Sequence, residues 1–213
     1  MNATLIALMT SVVLLVAAGS SAAQTVPVTD DQAVQQFQQA AHDYALMHRY
    51  LERRLPPMEV TADVAKLRQA MDAMAAAVRM ARPEAQPGDL FSPAVAEVIR
   101  DRIARSLDRQ GLTAFDVRVA ELADTGHAGP VALKVNGSFP WAIATGMIPC
   151  ILQALPPLPP ELEYRMVGTD LILIDVHAGL IVDILPYALA GSEDIRVEGG
   201  GSMTPASLRP SCR

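Results

Sequence analysis

Aromatic residues make up only 4% of this 213-residue chain. Its core must therefore lean on Ala, Leu, Val, Ile and Met rather than on large rings. Basic residues are outnumbered as well: 17 Lys and Arg stand against 23 Asp and Glu, a formal charge of −6. No block of Lys or Arg interrupts that balance, which argues against nucleic acid, or an anionic lipid surface, as a partner. The sequence has no GxSxG elbow, P-loop, HExxH, GxGxxG or Ca²⁺-loop pattern, so the common hydrolase and nucleotide-binding classes have no support and no cofactor is indicated. Beyond the N-terminus the longest apolar stretch, residues 141–155, is shorter than a bilayer span and contains Pro149. No transmembrane segment is expected after that point.

What the N-terminus does contain is an uncharged apolar run at residues 5–18, then small residues with Ser21 and Ala23 at the positions a signal peptidase reads. Residues 1–23 are expected to be a cleavable secretory signal, and the mature chain to begin at Gln24 in a periplasmic or secreted setting. No Cys lies near the cleavage site, which argues against a lipid anchor. About 190 residues remain, enough for one domain with a real core. In an oxidising compartment the isolated pair Cys150 and Cys212 reads most simply as a disulfide tying the C-terminal tail to the body. A metal-binding or redox pair is the rival reading, weakened by the long separation and the absence of CxxC.

The half up to residue 111 has helical periodicity. Thr29, Asp30 and Asp31 offer a cap, and Val34, Phe37, Ala41, Tyr44, His48, Leu51 and Leu55 then recur every three or four residues until Pro56-Pro57. A second stripe runs through Val64, Leu67, Met71, Met74, Val78 and Ala81, and the short link between the two predicts a helical hairpin. Ser92-Pro93 opens a third helix through Val95, Val98, Ile99, Ile103 and Leu107, ending at Gly111.

After Gly111 the period changes. Residues 115–119 and 131–136 alternate apolar and polar, the pattern of half-buried strands. Pro149 opens a short helix that stops at Pro156. Residues 162–167 read as a strand turning at Gly168-Thr169, and the apolar runs 171–174 and 180–182 read as strands buried on both faces. The expected fold is α+β: three N-terminal helices packed with a mainly antiparallel sheet of about five strands. One domain is expected over residues 24–190, helical to 111 and β-rich from 112, with a Gly-, Ser- and Pro-containing tail over 191–213.

The phrase running from Leu155 to Arg165 (LPPLPPELEYR), with Val167-Gly168, Leu180-Ile181-Val182-Asp183 and the earlier Gly88-Asp89-Leu90-Phe91-Ser92-Pro93, resembles a family of secreted bacterial proteins of unknown function. The resemblance covers roughly residues 88–186. It supports the strand assignment and implies no activity, cofactor or catalytic residue.

Asp175 and Asp183 stand out, since a carboxylate within an apolar strand is costly unless paired or hydrogen-bonded. A hairpin about His177-Ala178-Gly179 would set 175 opposite 181 and 173 opposite 183, bringing both carboxylates to one face with His177 close by. They could then form an acid/base pair or hold a metal. An even-length loop would instead put them on opposite faces, and the plainer reading is that both sit at strand ends or turns, bonded to backbone amides. His48, on the apolar stripe, reads as a packed, hydrogen-bonded core residue. His42 lies six positions away, about 240° round the helix, and so cannot share a metal with it. His127 sits in a Gly-rich link, and the methionines read as core filling rather than a copper site.

Two functions lead, ahead of a purely structural domain supporting a larger assembly. One is a non-catalytic envelope module that binds a protein or small-molecule partner through its helical hairpin. The other is a hydrolase or metal-dependent enzyme using Asp175, His177 and Asp183.

Overall fold

A computed structural model describes residues 28–57, 62–126, 131–143 and 146–189. The expected signal at residues 1–23, the expected tail over 191–213 and Cys212, with the disulfide expected of it, lie outside the described residues, as does His127. The fold is α+β, with five α-helices and one three-stranded sheet among the described residues.

Helix α1 (Asp30–Glu52) starts at a reciprocal cap: the Thr29 hydroxyl accepts from the Gln32 amide, and the Gln32 side chain accepts from the Thr29 amide. Helix α2 (Val64–Ala81) is capped by Asp63, and α3 (Pro93–Arg109) begins with proline at its first position. The α3 stripe is buried as its spacing predicts, as are Phe37, Ala41, Tyr44 and His48 of the α1 stripe, with Val34 and Leu51 half-buried, and the two helices pack on each other. Helix α2 departs from expectation. Met74 and Val78 are buried, whereas Val64 and Leu67 at its start are exposed.

Residues 115–119 are not a strand. They lie inside helix α4 (Ala114–Thr125), which Thr113 and Asp116 open with a second reciprocal cap and Gly126 closes in the left-handed conformation. Alternation over five residues fits one helical turn as well as a strand, and the cap decides between them. Residues 131–136 are not a strand either. This segment runs along the sheet edge, where Asn136 N–H donates to Ile181 O (2.8 Å) and Ile181 N–H donates to Gly137 O (2.9 Å). A single bridge pairs Ser138 with Leu180. The sheet therefore has three strands rather than five, and residues 112–189 hold two helices besides, α4 and the short α5 (Pro149–Ala154).

Strands β1 (Leu162–Val167), β2 (Asp170–Asp175) and β3 (Leu180–Leu185) form an antiparallel meander in sequence order. The helix-facing side carries Tyr164, Leu171, Leu173, Leu180 and Val182 against Phe37, Ile99, Ile103 and Ile151. Phe37 stacks on Phe91 and Tyr164, with centroids 5.5 and 6.3 Å away. The other side carries Ile172, Ile174, Ile181 and Ile184, and the edge segment covers it with Val135 and Phe139. Both faces of β2 and β3 are thus buried, which is why these strands read as continuous apolar runs.

Candidate functional site

The site forms where the C-terminal end of α1 crosses the β2–β3 turn. Tyr44, His48 and Glu52 follow at four-residue steps, so they lie in one row along α1. Asp175 ends β2, and His177 occupies the turn. Gly179 lets that turn close: its φ is 61°, and an added Cβ would come 3.0 Å from the Met71 terminal methyl.

Asp175 is fully buried, and both of its oxygens are engaged. Oδ1 accepts the backbone N–H groups of His177 (3.0 Å) and Ala178 (2.8 Å). Oδ2 accepts the Tyr44 hydroxyl (2.8 Å) and lies 2.6 Å from His48 Nδ1. The Tyr44 hydroxyl titrates far above its ordinary range, first because it is buried and then because of the Asp175 charge and hydrogen bond; Arg82 opposes the shift. It remains a donor at any physiological pH. For His48, burial alone would lower the pKa. The Asp175 bond and charge, helped by Glu52 and Glu161, outweigh it and raise the pKa. The proton on Nδ1 is therefore held by Asp175, and Nε2 points the other way.

His48 Nε2 lies 3.2 Å from His177 Nδ1, which lies 3.5 Å from Glu52 Oε1. His48, Glu52 and His177 each bring one ligand-type atom into a group whose members all lie within 4.8 Å of one another. A tetrahedral ion with bonds of about 2.0–2.1 Å sets its ligands about 3.3 Å apart, so two of these separations match an edge of such a site. A ligating histidine whose second nitrogen donates to a buried carboxylate is the usual support for such an ion. His48 is buried, whereas His177 and Glu52 are half exposed. The two exposed members also line a cavity of about 340 Å³ between the end of α1, residues 55–57 and α2.

Comparison with protein-family models, curated proteins and solved structures finds no match for this chain. The chemistry of the site must be read from its own residues.

Of the residues singled out from sequence, Asp175 and His177 are brought together, and Asp183 is not part of the group. Leu173 pairs with Asp183 as expected, but the register shifts between Leu173 and Ile174, so Asp175 sits opposite Leu180 rather than Ile181. Asp183 is buried and accepts four backbone N–H groups, from Gly88 (2.8 Å), Leu90 (2.7 Å), Phe91 (2.8 Å) and Ile184 (2.7 Å). Burial still leaves its carboxyl above the ordinary range, against the pull of those four bonds. Its oxygens are taken up by the 88–91 turn and by Ile184 N–H, so Asp183 is a structural anchor. His42 is exposed on α1. His48 is the packed, hydrogen-bonded residue its stripe implied, but its partner is Asp175, which makes it the centre of the site. Tyr44 and Glu52 were not singled out from sequence. Their only signal was the row of three side chains able to carry protons or ligate a metal, four residues apart. Cys150 is buried at the start of α5.

Proposed function

We propose that this chain is an exported metal-dependent hydrolytic enzyme. Its ion, of the zinc class, is held by His48 Nε2, His177 Nδ1 and a Glu52 carboxylate oxygen. The observation that carries this is the spacing of the three donors, with His48 oriented from behind by a buried Asp175. Two imidazoles and one carboxylate form a donor set of the kind found in catalytic zinc sites, where three protein ligands leave a fourth position for water. An ion there would lower the pKa of that water to about 7 and supply hydroxide as a nucleophile. Asp175 and Tyr44 contribute by fixing the tautomer and ring plane of His48. The apolar N-terminal run supports the export half of the proposal.

The interaction-module reading has less behind it. It needs an outward-facing helical surface, whereas Leu67, one of the two exposed apolar residues at the start of α2, lines the cavity next to the donor group. The test is to prepare the mature chain free of metal and titrate it with Co²⁺, following the visible absorption of a tetrahedral site. One equivalent should bind in the wild type. His48→Gln and His177→Ala should abolish the band while retaining helical circular dichroism. A wild-type chain that binds no stoichiometric ion would overturn the proposal.

A further inference from the structure

We infer that the cavity beside the donor group is an acyl pocket, and that the substrate is a carboxylic ester or amide of a short apolar acid. This inference rests on the metal site proposed above and names what that site acts on.

The direction of the open position comes from burial. His48 is wholly enclosed, backed by Asp175 and Tyr44, so nothing can approach an ion from that side. Glu52 and His177 are each half exposed, and both form part of the cavity wall. A fourth ligand therefore arrives through the cavity. Its remaining wall is mostly apolar: Leu55, Pro56 and Pro57 on one side, Leu67, Ala70 and Met74 on the other. The last three share one face of α2. Leu67 belongs to the helix's apolar stripe yet is 39% exposed, because the cavity lies where a core partner would be. At about 340 Å³ the space is at the lower end of ligand pockets, which suits one short chain rather than a polymer.

An ion held by His48, Glu52 and His177 would supply hydroxide from a water whose proton goes to solvent, and that hydroxide would add to the substrate carbonyl carbon. The bond from that carbon to the leaving oxygen or nitrogen breaks. The leaving atom takes up a proton, and the acid departs as its carboxylate. The acyl chain lies against Leu67, Ala70 and Met74 throughout.

The test uses the Co²⁺-loaded mature chain and the straight-chain carboxylates from acetate to octanoate, which are the products of such a reaction. Each should perturb the visible Co²⁺ spectrum, with affinity rising about fourfold per added methylene until the cavity is full. Hydrolysis of p-nitrophenyl esters by the Zn²⁺-loaded chain should follow the same order in kcat/KM. Leu67→Glu, at a position exposed enough to keep the fold, should weaken hexanoate binding tenfold or more while Co²⁺ still binds. Ala70→Phe should shorten the longest chain accepted. A Co²⁺ site that forms normally but binds all these carboxylates alike overturns the acyl pocket and leaves the metal site standing. Failure to form the Co²⁺ site at all removes the metal reading and this one with it.

Discussion

Asp175→Asn separates the orientation of His48 from the stability of the fold. The change keeps the volume of the side chain. The remaining carbonyl oxygen stays on the backbone N–H groups of His177 and Ala178, because an amide nitrogen cannot accept from them. The new NH₂ then replaces Oδ2 beside Tyr44 and His48. It can donate to the Tyr44 hydroxyl, which accepts as readily as it donates, and to His48 Nδ1 only if that nitrogen is unprotonated. The His48 proton is driven to Nε2, the nitrogen a metal must use.

Binding an ion would then set the His48 Nδ1–H against an amide N–H in a buried site. Such a mismatch costs about 1–3 kcal/mol. That corresponds to a loss of about 10- to 100-fold in affinity, the range seen when the partner of a ligating histidine is removed. Competition against a chromophoric chelator at neutral pH measures the affinity, and thermal unfolding of the metal-free chain measures stability. The expected result is a 10- to 100-fold weaker site in a protein that still unfolds cooperatively within a few degrees of wild type. An unchanged affinity would show that Asp175 does not set the His48 tautomer, and the orientation argument would fall.

Asp183→Asn should behave in the opposite sense. It strips an acceptor from two of the four backbone donors at the 88–91 turn and β3, with about 1.5–3 kcal/mol at stake in each charge-assisted bond. Its melting temperature should fall by about 10 °C or more, with the Co²⁺ affinity of the folded fraction unchanged; a mild loss of stability would contradict the anchoring role. The pH dependence follows from the raised pKa of His48. Its folded value lies above the unfolded 6.5, so the stabilisation is fully present below about pH 6.5 and fades as pH climbs through the folded value. Thermal melts of the metal-free chain between about pH 6 and 9 should show that decline, and His48→Gln should flatten it. Metal affinity should rise over the same range, because the ion displaces the Nε2 proton.

The helices were legible in the sequence wherever period and cap agreed. Thr29 and Ser92-Pro93 each stand just ahead of a stripe with helical spacing, and α1 and α3 begin there; α2 was legible from its spacing alone, and its cap is Asp63. Misreading arose where a short pattern fits both periods. Phe115, Val117 and Val119 alternate like a strand, and only Thr113, Asp116 and Gly126 reveal the helix. Residues 131–136 do alternate, and Val135 is buried, but the segment bonds the sheet only at Asn136, the bridge lies beyond it at Ser138, and it never becomes a strand. The apolar runs of β2 and β3 announced burial on both faces. They could not say that a loop, rather than a second helical layer, covers the far side.

The two aspartates show what sequence can and cannot say about a site. Both were conspicuous for one reason, the cost of a carboxylate in an apolar strand. The structure meets that cost in two different ways. Asp183 is satisfied entirely by backbone amides, so its hydrogen bonds end inside the protein. Asp175 gives one oxygen to backbone amides and the other to two side chains on α1, more than 120 residues earlier in the chain. Through His48 its bonding runs on to His177 and Glu52 and reaches the cavity. No local pattern encodes that difference, because it depends on which element packs over each strand. A buried carboxylate needed only for the fold gains nothing by passing its hydrogen bond to the surface through an imidazole. That continuation from Asp175 to a half-exposed pair of side chains able to ligate a metal is the physical reason for proposing the chemistry there and not at Asp183.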